Sequence, residues 1–202
     1  MREYDKMIAS RLYDPSDKEL SAMRTKAHQL CNEFNRLNEG EDEQKMRIVK
    51  ELFGSVGEDA WLENYIHIDY GINTHLGKNF YANFNLTILD TCRVDIGDDV
   101  MIGPNVNIVS AMHSLIAQER IVKQRPDGSK YDLEYGLPIK IGNGVWIGTG
   151  VTITGGVTIG DRAVIGAGSV VTHDIPSDVV AVGVPCKVLK KITQEDSVEK
   201  RK

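Results

Sequence analysis

The chain lacks the long apolar run that would carry it across a membrane. None of its 202 residues lies in a stretch that approaches the roughly 20 consecutive apolar residues of a membrane-spanning helix. The charged opening MREYDKM also lacks the apolar segment of a secretory signal peptide. We therefore expect a cytoplasmic protein with no membrane partner.

Cysteine and positive charge are also scarce. The three cysteines, Cys31, Cys92 and Cys186, are an odd number at wide spacing without a CxxC pair, which argues against a disulfide framework and a zinc site. The net charge of −5 provides no basic footprint for nucleic acid. We expect reduced, mostly packed thiols, no required metal and no nucleic-acid partner, and a polyanionic cofactor would need a local basic patch.

Glycine and branched aliphatic residues, in contrast, form a six-residue repeat. Residues 141–176 divide into IGNGVW, IGTGVT, ITGGVT, IGDRAV, IGAGSV and VTHDIP, each opening with Ile or Val. A period of six fits neither the 3.6 of a helix nor the 2 of a single strand. It is typical of a parallel β-solenoid in which three segments close one triangular coil. Six consecutive segments in one register argue against a sandwich of unrelated strands.

The same repeat begins earlier and is interrupted once. One coil covers residues 76–93 and a second covers 96–113, with Cys92 and Met112 in fifth-place packing positions and His113 at the end. The repeat then stops for residues 114–140, a charged segment that must leave the solenoid as a loop. A loop of this length in a compact domain is typical of a lid or a binding element.

The segment before the repeat predicts two helices. Apolar residues at steps of three and four over residues 16–37 predict an amphipathic helix, with Ser16 and Glu19 as a capping box. A shorter helix covers residues 46–53 and ends at Gly54. Because the open end of a solenoid needs a cover, we expect residues 1–60 to form a helical cap.

The remaining domain boundaries follow from the end of the repeat. Residues 61–182 are predicted to form the solenoid with the inserted loop 114–140, and residues 183–202 to form a closing segment with a charged helical tail. That tail carries a basic cluster of three lysines, Lys187, Lys190 and Lys191.

Several stretches together resemble the hexapeptide-repeat acyltransferases, in their maltose and galactoside O-acetyltransferase branch. They are DYGINTHLGKNFYANFNLTILD, the segments around NGVWIG, and DIPSDVVAVGVPCKV, so the resemblance covers nearly the whole chain. It implies a left-handed parallel β-helix with an N-terminal helical cap and a protruding loop, although left-handed crossovers are an exception among folds. It further implies a homotrimer with acetyl-CoA, a co-substrate, in the groove between subunits.

The resemblance also implies the residues of the site. His113 matches the catalytic base, and Asn83, Asp69 and Asp90 match positions at the acceptor sugar. The segment LYDPSD matches a family segment that places a carboxylate on the acceptor; Asp14 is favoured, and Asp17 qualifies under a one-residue slip. The positions that match the acetyl-CoA contacts are Trp146, Thr149, Ala167, Thr172, His173, Pro185 and Lys187.

The sequence departs from the family pattern at a few points. Ser114 follows His113 where the family often has proline, and the loop to Ile141 is longer than usual. The run Asp90-Thr91-Cys92 is closer to the maltose type, whereas YANFNLTI is closer to the galactoside type. The two clues leave the acceptor sugar open.

Acetyl transfer to a hydroxyl group requires removal of the hydroxyl proton as the oxygen attacks, a task that suits histidine. Only His113 combines a turn position, a following loop and a place outside the core register; His28, His67 and His75 are expected to be solvated corner residues. Because Cys92 falls in a packing position, direct transfer is favoured over an acyl-cysteine intermediate. A backbone N–H at a corner would supply the donor for the tetrahedral oxygen.

Alternatives stay open for individual residues and for the function. Asn83 suits a sugar hydroxyl or an asparagine ladder at a corner. Lys187, Lys190 and Lys191 suit the phosphates of coenzyme A, and a solvated tail is the alternative for Lys190 and Lys191. An exposed indole at Trp146 would mark a contact surface. The competing functions are transfer to an amino sugar, serine or antibiotic hydroxyl, a zinc enzyme on the same solenoid, which needs about three convergent histidines, and a non-catalytic assembly module.

Overall fold

The six-residue repeat winds into a three-sided parallel β-solenoid in the computed structural model, which describes residues 1–199. Sheet 1 contains β1 Ser55–Val56, β4 Thr74–Leu76, β7 Val94–Ile96, β14 Ile139–Ile141 and β17 Thr158–Ile159. Sheet 2 contains β2 Trp61–Leu62, β5 Tyr81–Ala82, β8 Met101–Ile102, β15 Trp146–Ile147, β18 Val164–Ile165, β20 Val179–Val182 and β21 Lys187–Lys191. Sheet 3 contains β3 His67–Ile68, β6 Thr87–Leu89, β9 Asn107–Val109, β16 Thr152–Thr154 and β19 Val170–Val171. The predicted parallel β-solenoid is confirmed.

Neighbouring coils are in register, so equivalent positions of the repeat stack along the axis. Ile108 pairs with Ile88 on one side and Ile153 on the other, and Ile153 pairs in turn with Val171. The residues that open the segments and most of those in fifth place are buried in one continuous core. Since burial of one such side chain stabilises the fold by roughly 1.5–3 kcal/mol, this stack holds the coils together.

The corners explain why the repeat contains so much Gly and Asn. Between sheets 2 and 3 one residue per coil has a positive φ, from 60° to 71°, and these residues are Tyr65, Asn85, Asn105, Gly150 and Gly168. Glycine and asparagine adopt this left-handed conformation more readily than other residues. The Asn85 side chain also donates to Oδ1 of Asn105 at 3.0 Å, which ties two coils together.

The solenoid starts at Ser55 and not at the predicted residue 61. The additional first coil consists of β1, β2 and β3, and it buries Leu62, Ile66 and Ile68 in the same core. A partial last coil follows β19, formed by a bridge between Ile159 and Ile175 and by β20.

Three helices precede the coils, one more than predicted: α1 Glu3–Ile8, α2 Lys18–Phe34 and α3 Asp42–Leu52. Phe34 of α2 and Val49 of α3 are buried in the core of the coils, so these helices cover the first coil. None of the helices within residues 1–199 is long and apolar enough to cross a membrane.

The start of α2 differs from the predicted capping box. The N-cap is Asp17, whose Oδ1 accepts from the backbone N–H groups of Glu19 at 2.9 Å and Leu20 at 3.3 Å. Ser16 donates its hydroxyl to Asp14 at 2.6 Å instead. The capping box at Ser16 and Glu19 is therefore wrong, because a carboxylate one residue later satisfies the first N–H groups of the helix.

The chain leaves the third coil after β9 and returns at β14. β10 Ala111–Met112 leads into this inserted segment, residues 114–138, and pairs antiparallel with β13 Tyr135–Gly136 near the end of the segment. It contains α4 Ala117–Arg120 and a hairpin of β11 Lys123–Gln124 and β12 Lys130–Tyr131. Met112, predicted in a core position, lies on the exit strand and is only partly buried.

The C-terminal segment is a strand where a helix was predicted. β21 pairs antiparallel with β20 and closes the last coil, and a 3-10 helix follows at Gln194–Asp196. Lys190 of the basic cluster forms an ion pair with Asp196. Residues 200–202 of the predicted tail lie outside the described residues.

Candidate active site

His113 stands where the chain leaves the third coil, at the corner between sheets 3 and 1. Its side chain is 50% exposed, and Nε2 lies 3.7 Å from Oε2 of Glu134. Glu134 immediately precedes β13, where the inserted segment returns. The antiparallel pairing of β10 with β13 therefore brings a carboxylate beside the imidazole.

Glu134 is itself held by the N-terminal segment. Its side chain is only 15% exposed, and Tyr13 donates its hydroxyl to Oε1. The two residues also form a backbone bridge: the N–H of Tyr13 donates to the carbonyl oxygen of Glu134 at 3.0 Å, and the reverse bond measures 3.2 Å. Burial raises the pKa of Glu134, while the Tyr13 hydroxyl and the nearby His113 favour its ionised form.

Two of the predicted acceptor-binding carboxylates have protein partners in this structure. Asp14 pairs with the guanidinium of Arg125 from the hairpin of the inserted segment. Asp69 follows β3, and its Oδ1 lies 3.5 Å from Nε2 of His28 on α2. His28 is therefore on a helix face and not at a coil corner. Asp69, His28 and His67 line a cleft of about 270 Å³ between α2 and sheet 3.

Asp90 cannot contact an acceptor in this geometry, and that prediction is corrected. Its side chain is 0% exposed, and it accepts hydrogen bonds from the backbone N–H of Tyr70 at 2.8 Å and the hydroxyl of Thr74 at 3.0 Å. Burial raises the pKa of Asp90 to about 7 against the effect of these bonds. Asp90 ties the end of the first coil to the second and acts as a structural residue.

Asn83 lies at the corner between sheets 2 and 3 of the second coil, partly exposed. Its Oδ1 accepts from the backbone N–H of Phe84 at 2.8 Å. The asparagine ladder at this corner is made by Asn85 and Asn105. Asn83 is outside that ladder, so its carboxamide NH2 group is available to a ligand.

The residues predicted to contact acetyl-CoA are all exposed, and all except Trp146 lie on two edges of the solenoid. Thr149 and Ala167 stack in successive coils at the corner between sheets 2 and 3, where the N–H of Gly168 donates to the carbonyl oxygen of Thr149 at 2.8 Å. Pro185 and Lys187 follow at the same corner of the last coil. Thr172 and His173, which bond each other at 2.9 Å, follow sheet 3 and share the edge of His113.

Trp146 lies on the outer face of sheet 2, between Met101 and Val164 of the adjacent strands. Its indole is 55% exposed, as expected for a contact surface. The cysteines are free and buried, as predicted. Over residues 1–199, no group of three or more His, Cys, Asp or Glu side chains is placed to hold a metal ion.

Sequence reasoning missed the partners of the two best-placed residues. Glu134 beside His113, Tyr13 beside Glu134 and Arg125 beside Asp14 were not predicted. The positions of two of these residues in the sequence could have indicated them. Glu134 stands in LEYG just before the repeat resumes, and Tyr13 directly precedes Asp14.

Two family models match parts of the chain. Residues 6–57 match the maltose acetyltransferase hexapeptide capping motif, and residues 138–173 match the bacterial transferase hexapeptide (six repeats). The galactoside O-acetyltransferase of Escherichia coli (strain K12) is 45% identical over 192 residues, which cover 95% of this chain and 90% of that protein.

Solved structures agree with this relationship. A maltose O-acetyltransferase from Clostridium difficile 630 superposes with a TM-score of 0.88 at 48% identity, covering 96% of this chain and 99% of that chain. A galactoside acetyltransferase in complex with coenzyme A also gives a TM-score of 0.88, at 44% identity, covering 97% of this chain and 94% of that chain. Such identity over nearly the full length shows that the chain belongs to the hexapeptide-repeat acetyltransferases, in the maltose and galactoside O-acetyltransferase family.

Proposed function

We propose that the protein transfers the acetyl group of acetyl-CoA to a hydroxyl group of a sugar, with His113 as general base. The observation that carries this proposal is the half-exposed imidazole of His113 at the base of the inserted segment, with Glu134 beside it. The names of the relatives, galactoside and maltose O-acetyltransferases, and the coenzyme A complex of one of them support the donor and the class of acceptor.

The reaction needs one base and no covalent enzyme intermediate. His113 removes the proton of the acceptor hydroxyl as the oxygen attacks the thioester carbonyl carbon. The tetrahedral intermediate collapses with cleavage of the C–S bond, and the imidazolium returns the proton to the thiolate of coenzyme A. Cys92, the cysteine nearest in sequence, is 1% exposed, which favours direct transfer over an acyl-cysteine.

The exposed row along the corner between sheets 2 and 3 suits acetyl-CoA, the second substrate. Thr149 and Ala167 present exposed side chains in successive coils, the indole of Trp146 presents an apolar face, and the ammonium group of Lys187 can meet a phosphate as a point charge. Thr172 and His173 lie on the edge that carries His113, so they would contact the same acetyl-CoA molecule only if a second chain supplied them.

A site between subunits accounts for the distribution of these residues. Asn83 precedes sheet 3 and His113 follows it, and the three residues of β6 in that sheet span roughly 10 Å at about 3.3 Å per residue. The two side chains therefore stand on different edges of one chain. We therefore propose a homotrimer in which Asn83 of one subunit faces His113 of its neighbour; the cytoplasmic location stays a prediction.

The acceptor side carries polar groups that suit a polyol. The Asn83 carboxamide can donate to and accept from hydroxyl groups, and Asp69 and Asp14 offer carboxylate oxygens. To bind the sugar, Asp14 would have to break its ion pair with Arg125. Asp90 takes no part in this proposal.

The test is thiol release from acetyl-CoA with a panel of glucose, maltose, galactosides, glucosamine and serine. We expect a sugar to be the best acceptor, and His113→Ala to lower kcat by roughly 10²- to 10⁴-fold. The matched control is His75→Ala, since His75 lies on the outer face of sheet 1 and bonds Ser55 at 3.0 Å. Activity within a few-fold of wild type in His113→Ala would refute the base, and serine as best acceptor would refute the sugar.

A further inference from the structure

We infer that Tyr13 and Glu134 are positioning residues that determine which ring nitrogen of His113 carries the proton. The inference rests on the proposed function, because it concerns the orientation of the reacting base. Tyr13 lies in the segment between α1 and α2. Through this contact the N-terminal cap takes part in the chemistry as well as covering the first coil.

The two oxygens of Glu134 have different partners. Oε2 lies 3.7 Å from Nε2 of His113, whereas Oε1 accepts from the hydroxyl of Tyr13. The backbone bridge between Tyr13 and Glu134 holds the two side chains in this arrangement, with bonds of 3.0 and 3.2 Å. The carboxylate therefore cannot rotate without breaking the Tyr13 bond.

The direction of the Tyr13 hydroxyl is determined by its surroundings. Tyr13 is 0% exposed and shares a buried cluster with Tyr70. Arg24 of α2 donates to the Tyr70 hydroxyl at 2.5 Å and to the carbonyl oxygen of Pro15 at 2.7 Å. Burial first, and then the Glu134 hydrogen bond, raises the pKa of Tyr13 far above its ordinary value. Tyr13 thus stays neutral and donates its single proton to Glu134.

An ionised carboxylate accepts hydrogen bonds but cannot donate them. The negative charge of Glu134, 3.7 Å from Nε2 of His113, therefore favours the hydrogen on Nε2, and Nδ1 is left free to take the acceptor proton. When the ring becomes an imidazolium, the nearby negative charge stabilises it. Glu134 takes up no proton in this scheme; the other charged groups around it are Asp132 and Arg24.

Glu134→Gln tests this scheme because Tyr13 should dictate the amide orientation. Tyr13 would donate to the amide oxygen, so the NH2 group would face His113. The ring would have to accept there and would carry its hydrogen on the wrong nitrogen. We expect kcat to fall by about 10²-fold with an unchanged KM for acetyl-CoA, and Glu134→Asp to recover part of the loss.

The Tyr13→Phe variant and its combination with Glu134→Gln separate positioning from packing. Tyr13→Phe should lower kcat about tenfold, since one hydrogen bond to a charged group is lost. In the double variant the amide can turn its oxygen to His113, so that variant should be no slower than Glu134→Gln alone. The matched control is Tyr4→Phe on α1, which loses a 3.1 Å hydrogen bond to the side chain of Asn73 and should keep kcat within about twofold.

Nitrogen NMR of the His113 ring, assigned by its loss in His113→Ala, reports the proton position without any turnover. We expect one tautomer in wild type and the other in Glu134→Gln. An unchanged tautomer in Glu134→Gln would overturn the inference. So would a double variant whose loss of kcat equals the product of the two single losses, or equal kcat values for Tyr13→Phe and Tyr4→Phe. If the wild-type protein acetylates no acceptor, the proposed function fails. The tautomer measurement would still show whether Glu134 determines the proton position on His113.

Discussion

The carboxylates around the site differ because burial and partners differ from one residue to the next. Asp90 is enclosed between the first two coils, Glu134 faces His113 from a mostly buried position, and Asp14 pairs with Arg125 at the edge of the inserted segment. The sequence presents all three as acidic residues in polar segments. Their environments come from strands and helices far apart in the chain, so only the folded structure separates the structural carboxylate from those proposed to act in the site.

Asp90→Asn should flatten the pH dependence of stability. Burial raises the pKa of Asp90 to about 7 in the folded protein, against about 3.9 in an unfolded chain. A raised folded pKa contributes stability that is fully present below about pH 4 and is lost as the pH rises through about 7. Wild-type unfolding free energy should therefore carry a falling component over this range, of at most about 1.4 kcal/mol per pH unit.

Urea unfolding at several pH values between 4 and 8 measures this component. Asp127→Asn is the control, because Asp127 lies on an exposed turn and its Ser129 hydrogen bonds lower its pKa. If Asp90→Asn keeps the pH slope of wild type, the buried carboxylate is ionised in the folded state and the argument fails.

Each coil is an element that is specified largely by its corners. The left-handed position between sheets 2 and 3 is filled by Asn, Gly or, in the first coil, Tyr65. The frame of six was predictable because inward positions need aliphatic residues and corners need Gly or Asn. The first coil follows the same frame through Leu62 and Ile68, but Tyr65 and Trp61 conceal it. The Lys187–Lys191 strand was not predictable, since its pairing with β20 overrides a polar, lysine-rich sequence.

Gly150→Ala should destabilise the protein by roughly 1–2 kcal/mol, the cost of a left-handed conformation for a residue with a β-carbon. Gly150 has a φ of 70°, and an added β-carbon would meet no atom within 4 Å, so steric overlap does not contribute. Gly150→Asn should lose less, because Asn85 and Asn105 occupy the equivalent corners at 62° and 60°. Denaturant midpoints measure both variants; equal losses would contradict a conformational origin.

At the scale of the whole molecule, the proposed site requires more than one chain. Asn83 and His113 stand on different edges of the solenoid, and sheet 3 lies between them. In a closed ring of three subunits, each site would combine one edge of one subunit with the other edge of the next. The single chain then holds all the residues of the reaction without holding one complete site.

Mixing two inactive variants tests this arrangement. Asn83→Ala and His113→Ala, refolded together in equal amounts, should regain activity at about one quarter of the sites, because random assembly pairs an intact Asn83 with an intact His113 at that frequency. Each variant refolded alone is the control. Activity in the mixture no higher than the mean of the two variants would place both residues in a site within one chain.

The sequence by itself determined the class of fold and led to the proposal of His113 as the base, because a repeat of six and a histidine at its interruption are local features. It also determined that the thiols are packed, since Cys92 falls in the inward register. The tertiary structure decided which carboxylates are available, because the burial of Asp90 and the placement of Glu134 beside His113 depend on segments that meet only after folding. Tyr13 and Glu134 are separated by 121 positions along the chain, and no local pattern records a contact between residues so far apart.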